Sequence, residues 1–456
     1  MEPIYLWNQG EEIQITDDFT LSTVEEVVQT AKQLKKKVKR AQNRSVHDIL
    51  DVLDNVSDTL SFDPEKLAKM AGISKQEAAE EAEVVKQFLK KDNLIPFLET
   101  EFQDIEALDD FIPRGTVQAM YRPFGLFLHN LAGNAIIVAP GSLAIALVTK
   151  NVNLLKLPSN DFYTGPVVAK EIAAHDKKIG EEISTLYWKG SNNNIYDALF
   201  GLAEKQPHPL IDACIAWGGH NSIKPMKEKS AQSGVHFVEH GPKMSFAVYF
   251  SKKTPPKQIK NALPETAKDI VKRRGRACKS PRFIAFQQNE QMSIDQFAEL
   301  LRDEILNLNK TYPPTKETFS IVSEMKNVFR TQGYNIKIPQ TLTNDAIVAY
   351  AKSFDDVSPE LIHQCGDRSI LVVPFTNPNE IIQFVEKHHL QPVLQTMSIV
   401  SNGNPQSEFI KEISFQGVTN IVNPGEMDFI HPGDSHDGVP NFSSLTMMTT
   451  KHNNSY

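Results

Sequence analysis

The sequence predicts an α/β protein built on a doubly wound parallel sheet and a second α/β domain, and three observations support this. From residue 125 onward, short apolar segments alternate with segments of helical character. The apolar segments are continuous, without the polar alternation of a strand that faces water, which indicates a sheet covered on both faces. The chain has 456 residues, which suggests two or three domains.

The first α/β segment is predicted from residue 125 to residue 240. Buried strands are expected at residues 125–131, 152–158, 183–188, 212–217 and 235–240. Helices are expected between them at residues 135–149, 165–174 and 195–203, with a fourth that ends at Lys229. In such sheets ligands bind beyond the carboxyl ends of the strands, where loops lead into helices. We therefore expect a binding site in the loops that follow these strands.

A second α/β segment is expected from about residue 250 to residue 430. It comprises predicted strands at residues 282–287, 369–375 and 394–401, and predicted helices at residues 256–273, 292–307, 315–331 and 379–388. Residues 1–95 differ, because a hairpin with its turn at residues 8–10 precedes four helices at residues 24–41, 46–60, 65–70 and 75–90.

These patterns predict four regions along the chain. Residues 1–95 form a hairpin and helical region that packs on the domain of residues 96–250, and residues 251–432 form the second α/β domain. Residues 433–456 form a small C-terminal arm, in which SSLTMMTTK can add as a strand to a neighbouring subunit of a homo-oligomer. His436 and Asp437, in the same arm, can orient a group near a substrate or simply form a turn.

Composition argues against several classes of function. The net charge of −8, from 48 basic and 56 acidic residues, gives no reason to expect a nucleic-acid partner. The N-terminus lacks the basic and apolar segments of a secretory signal, and Pro140-Gly141 interrupts the longest apolar segment, so no membrane span is expected. Three scattered cysteines are too few for a disulfide framework or a zinc site. We expect a cytoplasmic protein with reduced thiols and no metal.

Cys278 is the best candidate for a reactive thiol. It lies between a predicted helix and a predicted strand in VKRRGRACKSPRFIAF. Four basic residues flank it: Arg273, Arg274, Arg276 and Lys279. Positive charge favours the thiolate, which is the reactive form, although a buried structural cysteine gives the same pattern. Cys214, in the middle of a strand, is expected to be inert, and Cys365 is ambiguous.

Three loops after predicted strands carry residues suited to bind a ligand. Asn134 can donate its amide protons to an oxyanion, although asparagine is also a common helix cap. KLPSND places Lys156 and Ser159 at the carboxyl end of the second strand, where they can bind a ribose or a phosphate, although surface lysines usually bind nothing. In WGGHNS, Gly218 and Gly219 either let the backbone approach a pyrophosphate or only form a turn.

The order of these segments resembles the aldehyde dehydrogenase superfamily. Lys156 follows Asn134 by 22 positions (156 − 134), and a glycine-serine turn comes next. A Glu-x-Gly-x-Lys segment (EHGPK, residues 239–243) and a Gly-x-x-Cys segment that ends at Cys278 then follow. The segments LVVPFTNPNEIIQFV, LQTMSIVS and GVTNIVNPGEM occur in the expected order. The resemblance implies an aldehyde-dehydrogenase-like fold with a cofactor domain followed by a catalytic domain.

Within that superfamily the sequence is most similar to the fatty acyl-CoA reductases of bacterial luminescence. The features that indicate this branch are IAWGGHNSI, the Cys-x-Ser-Pro at residues 278–281, LQTMS at residues 394–398 and the His-Asp-Gly at residues 436–438. The resemblance covers nearly the full chain and implies reduction of a long-chain acyl thioester to an aldehyde. The acyl donor would be acyl-CoA or an acylated partner protein, and the cofactor NADPH, with NADH as the alternative.

The resemblance also implies a role for each candidate residue. Cys278 would attack the thioester, and the Asn134 side chain with a backbone N–H would hold the oxyanion. Lys156 and Ser159 would contact the adenine ribose or its 2′-phosphate, near Asp161, which could repel that phosphate. The implied cofactor-binding residues are Lys156, Pro158, Ser159, Gly218, Gly219 and Ser222.

Two departures from the superfamily pattern leave alternatives open. HQCGD at residues 363–367 stands where oxidising aldehyde dehydrogenases have the Glu-x-Phe-Gly-Pro that holds the nicotinamide ribose, which argues against aldehyde oxidation. Glu239 stands where the resemblance places the general-base carboxylate of the oxidising enzymes. In this chain it would be an acid, a base or a structural residue. An aldehyde-oxidising dehydrogenase, favoured only by Glu239, and a catalytically idle scaffold are therefore the competing functions.

Overall fold

The structure, a computed structural model, describes residues 4–15, 22–338, 345–402 and 407–452. The chain divides into two units. Unit 1 comprises Met1–Ala71, Ala78–Gly241 and His431–Tyr456, and unit 2 comprises Gly72–Glu77 and Pro242–Ile430. Apart from Gly72–Glu77, the N-terminal helices therefore belong to the same unit as the first α/β segment and the C-terminal arm.

Unit 1 contains the predicted doubly wound sheet. Its strands are β1 (Ile4–Asn8), β2 (Glu11–Ile15), β3 (Ile112–Arg114), β4 (Val117–Pro123), β5 (Leu126–Asn130), β6 (Val152–Lys156), β7 (Ile183–Leu186), β8 (Ala213–Trp217) and β9 (His236–His240). Seven of them form one sheet in the order β2-β1-β7-β6-β5-β8-β9, in which β5 to β9 are parallel. All five predicted parallel strands are thus present, and the N-terminal hairpin extends the sheet by pairing antiparallel with β7.

Helices cover this sheet and its N-terminal region. They are α1 (Val24–Lys35), α2 (Val38–Gln42), α3 (Val46–Thr59), α4 (Pro64–Ala71), α5 (Lys75–Leu89), α6 (Lys91–Phe102), α7 (Val138–Val148), α8 (Thr164–His175), α9 (Lys177–Gly180), α10 (Asn193–Phe200) and α11 (His220–Ser233). The predicted helix 24–41 is two helices, and α6 was not predicted because Pro96 interrupts its pattern. None of the helices in the described ranges is long and apolar enough to cross a bilayer.

Continuous apolar strands account for the interior of unit 1. Every residue of β5, β6 and β7 is buried. Burying one large apolar side chain contributes roughly 1.5–3 kcal/mol to folding, so this sheet is a rigid base for the loops at its edges. The buried ring of His129 is held by two hydrogen bonds, to Ser142 Oγ at 2.7 Å and to Asn153 Oδ1 at 3.0 Å. Burial lowers the pKa of His129 to about 4.

Unit 2 contains a second seven-stranded sheet. Its strands are β10 (Met244–Tyr249), β11 (Pro281–Gln287), β12 (Asn335–Lys337), β13 (Ile347–Tyr350), β14 (Ser369–Phe375), β15 (Leu394–Val400) and β16 (Asn420–Val422). Its helices are α12 (Pro256–Val271), α13 (Ile294–Asn307), α14 (Lys316–Thr331), α15 (Pro359–Gln364), α16 (Asn379–Lys387) and α17 (Ser407–Phe415). The strand order is β12-β13-β14-β11-β10-β15-β16, and only β12 is antiparallel. Strand β10 was not predicted, because only three residues separate it from β9.

The C-terminal arm forms a strand within its own chain. Strand β17 (Thr446–His452) pairs antiparallel with β4 over its whole length, in a three-stranded sheet of order β17-β4-β3. The predicted strand is therefore present, but it is paired here with residues of unit 1. Residues 453–456 of the predicted arm lie outside the described residues, and the homo-oligomer stays a prediction.

Candidate functional site

Cys278 lies in a turn of unit 2 that precedes β11. Residues Lys272–Gly275 form a single 3-10 turn after α12, and the backbone N–H of Ser280 donates to the Ala277 carbonyl at 3.1 Å. The Ser245 hydroxyl, at the start of β10, donates to the Cys278 carbonyl at 2.8 Å. The cysteine side chain is half-buried. Its backbone is therefore held while its thiol keeps access to a substrate.

The turn before Cys278 has a left-handed backbone. Arg273, Arg274 and Gly275 have φ angles of 48°, 57° and 59°. A Cβ at Gly275 would lie 2.9 Å from the Ile270 carbonyl oxygen and 3.1 Å from the Asp367 nitrogen, so the third position needs glycine. Left-handed arginines cost on the order of 1–2 kcal/mol each, so the surrounding contacts must hold this turn.

A second left-handed segment supplies those contacts. Gly366, Asp367 and Arg368 have φ angles of 141°, 48° and 69°. The Asp367 N–H donates to the Arg274 carbonyl at 2.8 Å, and the Arg274 guanidinium donates to the Asp367 carboxylate at 2.5 and 3.2 Å. Thr318 Oγ1 donates to the other carboxylate oxygen at 2.8 Å. Asp367, the last residue of the HQCGD segment, thus holds the cysteine turn.

The basic residues beside Cys278 in sequence have partners of their own. Arg274 and Arg276 each donate to Glu317 at 2.8 Å, which lowers the pKa of that carboxyl to about 2. Lys279 Nζ donates to the Phe429 carbonyl at 3.0 Å. The positive charges of these residues therefore interact largely with carboxylates and a carbonyl.

Arg282 was missed by the sequence reasoning. This residue of β11 donates from Nη1 to the Cys365 carbonyl at 2.6 Å, and burial lowers its pKa. Its guanidinium interacts electrostatically with the thiols of Cys278 and Cys365. The available signal was a charged residue at the amino end of an otherwise apolar strand.

The other two cysteines are poor nucleophiles. Cys214 is fully buried in β8, and burial raises the pKa of its thiol. Cys365 is also buried, its pKa is raised to about 12, and its thiol donates to the Leu361 carbonyl at 3.5 Å. Because a thiolate is the reactive form, Cys278 is the best placed of the three.

Asn134 lies at the carboxyl edge of the unit 1 sheet. It is exposed in the bend between β5 and α7, and its side chain has no hydrogen-bond partner among the described residues. It does not cap α7, whose N-cap is Ile137. Asn160 Nδ2 donates to the Gly133 carbonyl at 2.6 Å and fixes the adjacent backbone. The asparagine amide is therefore available to a ligand.

Lys156 is the last residue of β6 and is 8% exposed. Burial lowers its pKa from 10.5 to about 8, and its ammonium group has no acidic partner within the described part of the chain. It lies 5.9 Å from the Tyr187 ring centroid. Pro158 is buried and Ser159 is exposed. A buried ammonium without a counter-charge is costly, which suits a site for an anion.

Asp161 is hydrogen-bonded within its own loop. Its carboxylate accepts hydrogen bonds from the Tyr163 N–H at 3.0 Å and the Thr164 N–H at 2.9 Å, at the start of α8, and from the Thr164 hydroxyl. The side chain is also buried. These bonds satisfy the acceptor atoms of the carboxylate, and the repulsion of a 2′-phosphate by Asp161 stays a hypothesis.

The glycine pair lies between β8 and α11. Gly218 has φ 152°, and its N–H donates to the His240 carbonyl at 3.2 Å. Gly219 is the N-cap of the 14-residue α11, and a Cβ there would meet nothing within 4 Å. Ser222, in the first turn, is exposed. This helix N-terminus, without a side-chain cap, offers backbone N–H groups that suit a pyrophosphate.

Glu239 and its neighbour His240 point in different directions. Glu239 is exposed on β9, and its carboxylate lies 2.7 Å from Lys227 Nζ. His240 is buried, and its Nδ1 lies 2.9 Å from Asp437 Oδ2. Asp437 and His436 sit in the predicted turn, which a β-bridge between His436 and Val439 closes. The sequence reasoning did not connect His240 with this turn.

Comparison with known proteins gives a family match over most of the chain. The model of the family described as "Acyl-CoA reductase (LuxC)" matches residues 41–448. The long-chain acyl-protein thioester reductase of Aliivibrio fischeri is 25% identical over 382 residues, which is 82% of this chain and 74% of that protein. The corresponding protein of Vibrio harveyi is 24% identical over 372 residues, covering 81% and 73%.

Solved structures of aldehyde dehydrogenases have the same fold. Aldehyde dehydrogenase C of Pseudomonas syringae, solved with NAD+ and octanal, has a TM-score of 0.69 at 11% identity and covers 98% of this chain and 96% of its own. An NAD-dependent aldehyde dehydrogenase of Sinorhizobium meliloti has a TM-score of 0.73 at 11% identity, covering 98% and 94%. These matches confirm the predicted aldehyde-dehydrogenase-like α/β fold.

Proposed function

Because the chain belongs to the acyl-CoA reductase (LuxC) family, we propose that Cys278 takes the acyl group of a thioester, which is then reduced to an aldehyde. The chain is an oxidoreductase that uses a nicotinamide cofactor to convert an acyl thioester to an aldehyde. The residues that carry the steps, the preferred cofactor and the acyl donor are the parts proposed here.

Cys278 provides the covalent step. Its thiolate attacks the thioester carbonyl, the tetrahedral adduct expels the donor thiol, and a Cys278 acyl thioester remains. The nicotinamide, when bound, supplies the hydride. Cys278 then leaves as the thiolate when the aldehyde is released, and one proton from solvent balances the reaction. In the first step the Asn134 amide and a backbone N–H would stabilise the oxyanion.

The observation that carries this proposal is the setting of Cys278 among the three thiols. It is half-buried in a turn with a fixed backbone, and the guanidinium of Arg282 interacts electrostatically with it. A positive charge favours the thiolate. Cys214 and Cys365 are buried with raised pKa values, so acylation at either is disfavoured.

The carboxyl edge of the unit 1 sheet fits a dinucleotide. Gly218 and Gly219, with Ser222, would receive the pyrophosphate at the start of α11. Lys156 and Ser159, after β6, would receive the adenine ribose. The buried ammonium of Lys156 has no acidic partner in the described structure, and a 2′-phosphate would supply one, so we favour NADPH over NADH.

The acyl donor is proposed from the relatives. Several are named long-chain acyl-protein thioester reductases. We therefore propose a long-chain acyl group carried by a protein thiol, with acyl-CoA as the alternative donor. Aldehyde oxidation, the competing function, gains no support, since its one favourable residue, Glu239, is ion-paired with Lys227.

Trapping the acyl-enzyme tests the proposal. The protein is mixed with a long-chain acyl-CoA without reductant, and peptides are analysed by mass spectrometry for the acyl mass. We expect the acyl group on Cys278, its loss when NADPH is added, and aldehyde in equal amount. The Cys278→Ala variant should show neither, whereas Cys214→Ala should react as the parent does. An acyl group found only at another residue would contradict the proposal.

A further inference from the structure

Three side chains with metal-binding atoms converge in unit 1, which we call the histidine cluster: His240, His436 and Asp437. His240 Nδ1 lies 2.9 Å from Asp437 Oδ2, and His436 Nε2 lies 3.8 Å from the same oxygen. One donor atom of each residue lies within 4.8 Å of those of the other two. Ligands at roughly 2.0–2.2 Å from a tetrahedral Zn²⁺ are about 3.3 Å apart, so side-chain shifts of about an ångström complete the site.

The backbone holds the donors of the cluster. His436 and Val439 exchange two backbone hydrogen bonds of 3.0 Å, and Asp437 between them has a left-handed φ of 56°. Glu101 accepts hydrogen bonds from three successive backbone N–H groups, those of residues 441–443, at 2.7–3.0 Å. A non-glycine residue keeps a left-handed φ only when its surroundings impose it. The turn therefore presents its carboxylate and imidazole in a fixed orientation.

Burial and an aromatic wall further restrict the cluster. The side chains of His240, His436 and Asp437 are 8%, 15% and 4% exposed. The Trp217 ring stacks on the His240 ring with centroids 4.0 Å apart and meets the His436 ring edge-on at 5.0 Å. The shell around a metal site controls solvent access and strengthens its electrostatic interactions. This environment differs from that of exposed histidines, which bind metal ions weakly and adventitiously.

We propose that the histidine cluster binds one divalent transition-metal ion of the Zn²⁺ class, with one coordination position left open. Two neutral imidazoles and one carboxylate are ligands that favour zinc, cobalt, nickel or copper over magnesium and calcium. Three protein ligands are the number found in zinc sites that keep a position for water or substrate. Binding replaces the His240–Asp437 hydrogen bond. No metal was expected from the sequence because the cysteines are few, an argument that does not reach a site built from histidine and aspartate. This site does not depend on the reductase activity.

Zinc titration of the full-length chain tests the proposal. The cysteines are first alkylated, and Zn²⁺ is then titrated in competition with a chromogenic chelator. We expect one ion per chain and a melting temperature that rises with zinc concentration. His436→Ala and Asp437→Asn should weaken binding by at least roughly 10–100-fold. His208→Ala, which removes an exposed histidine of the same unit, should leave the affinity unchanged.

Cobalt provides a second readout that needs no variant. Co²⁺ bound to the parent protein should give the visible absorption of a four-coordinate nitrogen and oxygen site, without a thiolate charge-transfer band. Absence of stoichiometric binding, a thiolate band that disappears on alkylation, or zinc affinity unchanged in both cluster variants would each overturn the proposal. Reductase activity measured on the same preparations is a separate result, because loss of activity with intact zinc binding leaves the site in place.

Discussion

The two units place their candidate residues at opposite edges of their parallel sheets. In unit 1, Asn134 and Gly218 follow the last residues of β5 and β8, and Lys156 is the last residue of β6, so all three lie at the carboxyl edge. In unit 2, Cys278 precedes the first residue of β11, and Asp367 precedes the first residue of β14, at the amino edge. The proposed cofactor site of unit 1 therefore follows the carboxyl-edge rule for ligand sites, whereas the candidate cysteine of unit 2 does not.

The two edges suit different tasks: the carboxyl edge of unit 1 suits the binding of a ligand, and the amino edge of unit 2 carries the candidate nucleophile. At the carboxyl edge, helices begin where strands end, so backbone N–H groups and the positive ends of helix dipoles face a ligand such as a pyrophosphate. The amino edge has no such feature of regular structure. Unit 2 instead fixes its cysteine with two left-handed turns and the Arg274–Asp367 pair. A strained, tightly bonded turn can orient a nucleophile where secondary structure alone does not.

The largest expected effect concerns Asn134. Its proposed role as an oxyanion donor would give the carboxyl edge of unit 1 a part in the chemistry as well as in binding. Asn134→Ala should lower kcat about 100–1,000-fold, because removing one oxyanion donor costs about 3–4 kcal/mol of transition-state stabilisation. Single-turnover acylation of Cys278 by acyl-CoA measures the step directly. Asn134→Asp, which keeps the shape but loses the donor, should be as slow, and the exposed Asn194→Ala should be unaffected. Normal acylation in Asn134→Ala would confine this edge to binding.

The next largest effect concerns the turn of unit 2. Gly275→Ala forces a Cβ to 2.9 Å from the Ile270 carbonyl oxygen in a left-handed backbone, and we expect a loss of roughly 1–3 kcal/mol in the free energy of unfolding. Because the turn must shift, alkylation of Cys278 by iodoacetamide should also slow. Urea unfolding and the alkylation rate measure the two effects.

Gly333 supplies the matched control for Gly275. It also lies in unit 2 with a positive φ of 79°, but a Cβ there meets nothing within 4 Å. Gly333→Ala should therefore lower the free energy of unfolding by about 1 kcal/mol, through the left-handed backbone conformation alone, and leave the alkylation rate of Cys278 unchanged. Equal destabilisation and equal alkylation rates for the two variants would show that the packing around the cysteine turn is unimportant.

The parallel strands of unit 1 were predictable from sequence, but only part of the sheet of unit 2 was. Continuous apolar segments identified all five parallel strands of unit 1, and the same pattern identified β11, β14 and β15 of unit 2, whereas β10, β12, β13 and β16 were not predicted. Strand β10 was lost because a strand that follows another after three residues gives no helical interval to mark its start. The left-handed turns at Arg274 and Asp367 use residues that rarely adopt this conformation, so composition gives no signal for them.

The candidate site residues were named from the order of their segments along the chain. Cys278, Asn134 and the Gly218 loop each lie at a strand end or beside a helix start, which alone is weak evidence, and the resemblance to the aldehyde dehydrogenase superfamily gave them their proposed roles. The Asp437–His240 contact joins residues 197 positions apart, which no local pattern indicates. Arg282 lies only four positions after Cys278 but was overlooked, because it belongs to a strand and not to the basic segment before the cysteine. The side-chain partners of Arg274 and Arg276 likewise come from other segments.

Lys156 tests whether the carboxyl edge of unit 1 distinguishes between the two cofactors, because its proposed partner is the 2′-phosphate that only NADPH carries. Lys156→Met should weaken NADPH binding about tenfold or more, as a charge-assisted hydrogen bond contributes roughly 1.5–3 kcal/mol, and should change NADH binding little. In the parent, the pKa of Lys156 is about 8, so its protonated form is lost as pH rises through 8. The affinity for NADPH should fall over that range more than the affinity for NADH.

Fluorescence titration with each cofactor between pH 6.5 and about 9.5 measures this preference. The exposed Lys189→Met is the control for a general loss of positive charge. If the affinities for NADPH and NADH changed with pH in parallel, or if Lys156→Met weakened the binding of both cofactors equally, the 2′-phosphate would lie away from Lys156. The cofactor preference would then have no residue to explain it.

The smallest expected effect concerns Glu239, the residue that would make the carboxyl edge of unit 1 a hydrolytic site. Its carboxylate is exposed and lies 2.7 Å from Lys227 Nζ, and an exposed ion pair of this kind contributes roughly 0–1 kcal/mol to stability. Glu239→Gln should therefore leave turnover and the lifetime of the Cys278 acyl-enzyme within about twofold of the parent, and Lys227→Gln should behave alike. The lifetime is measured by mass spectrometry after excess acyl-CoA is removed. If Glu239→Gln lengthened it while Lys227→Gln did not, Glu239 would be activating water, and the oxidising function would regain its support.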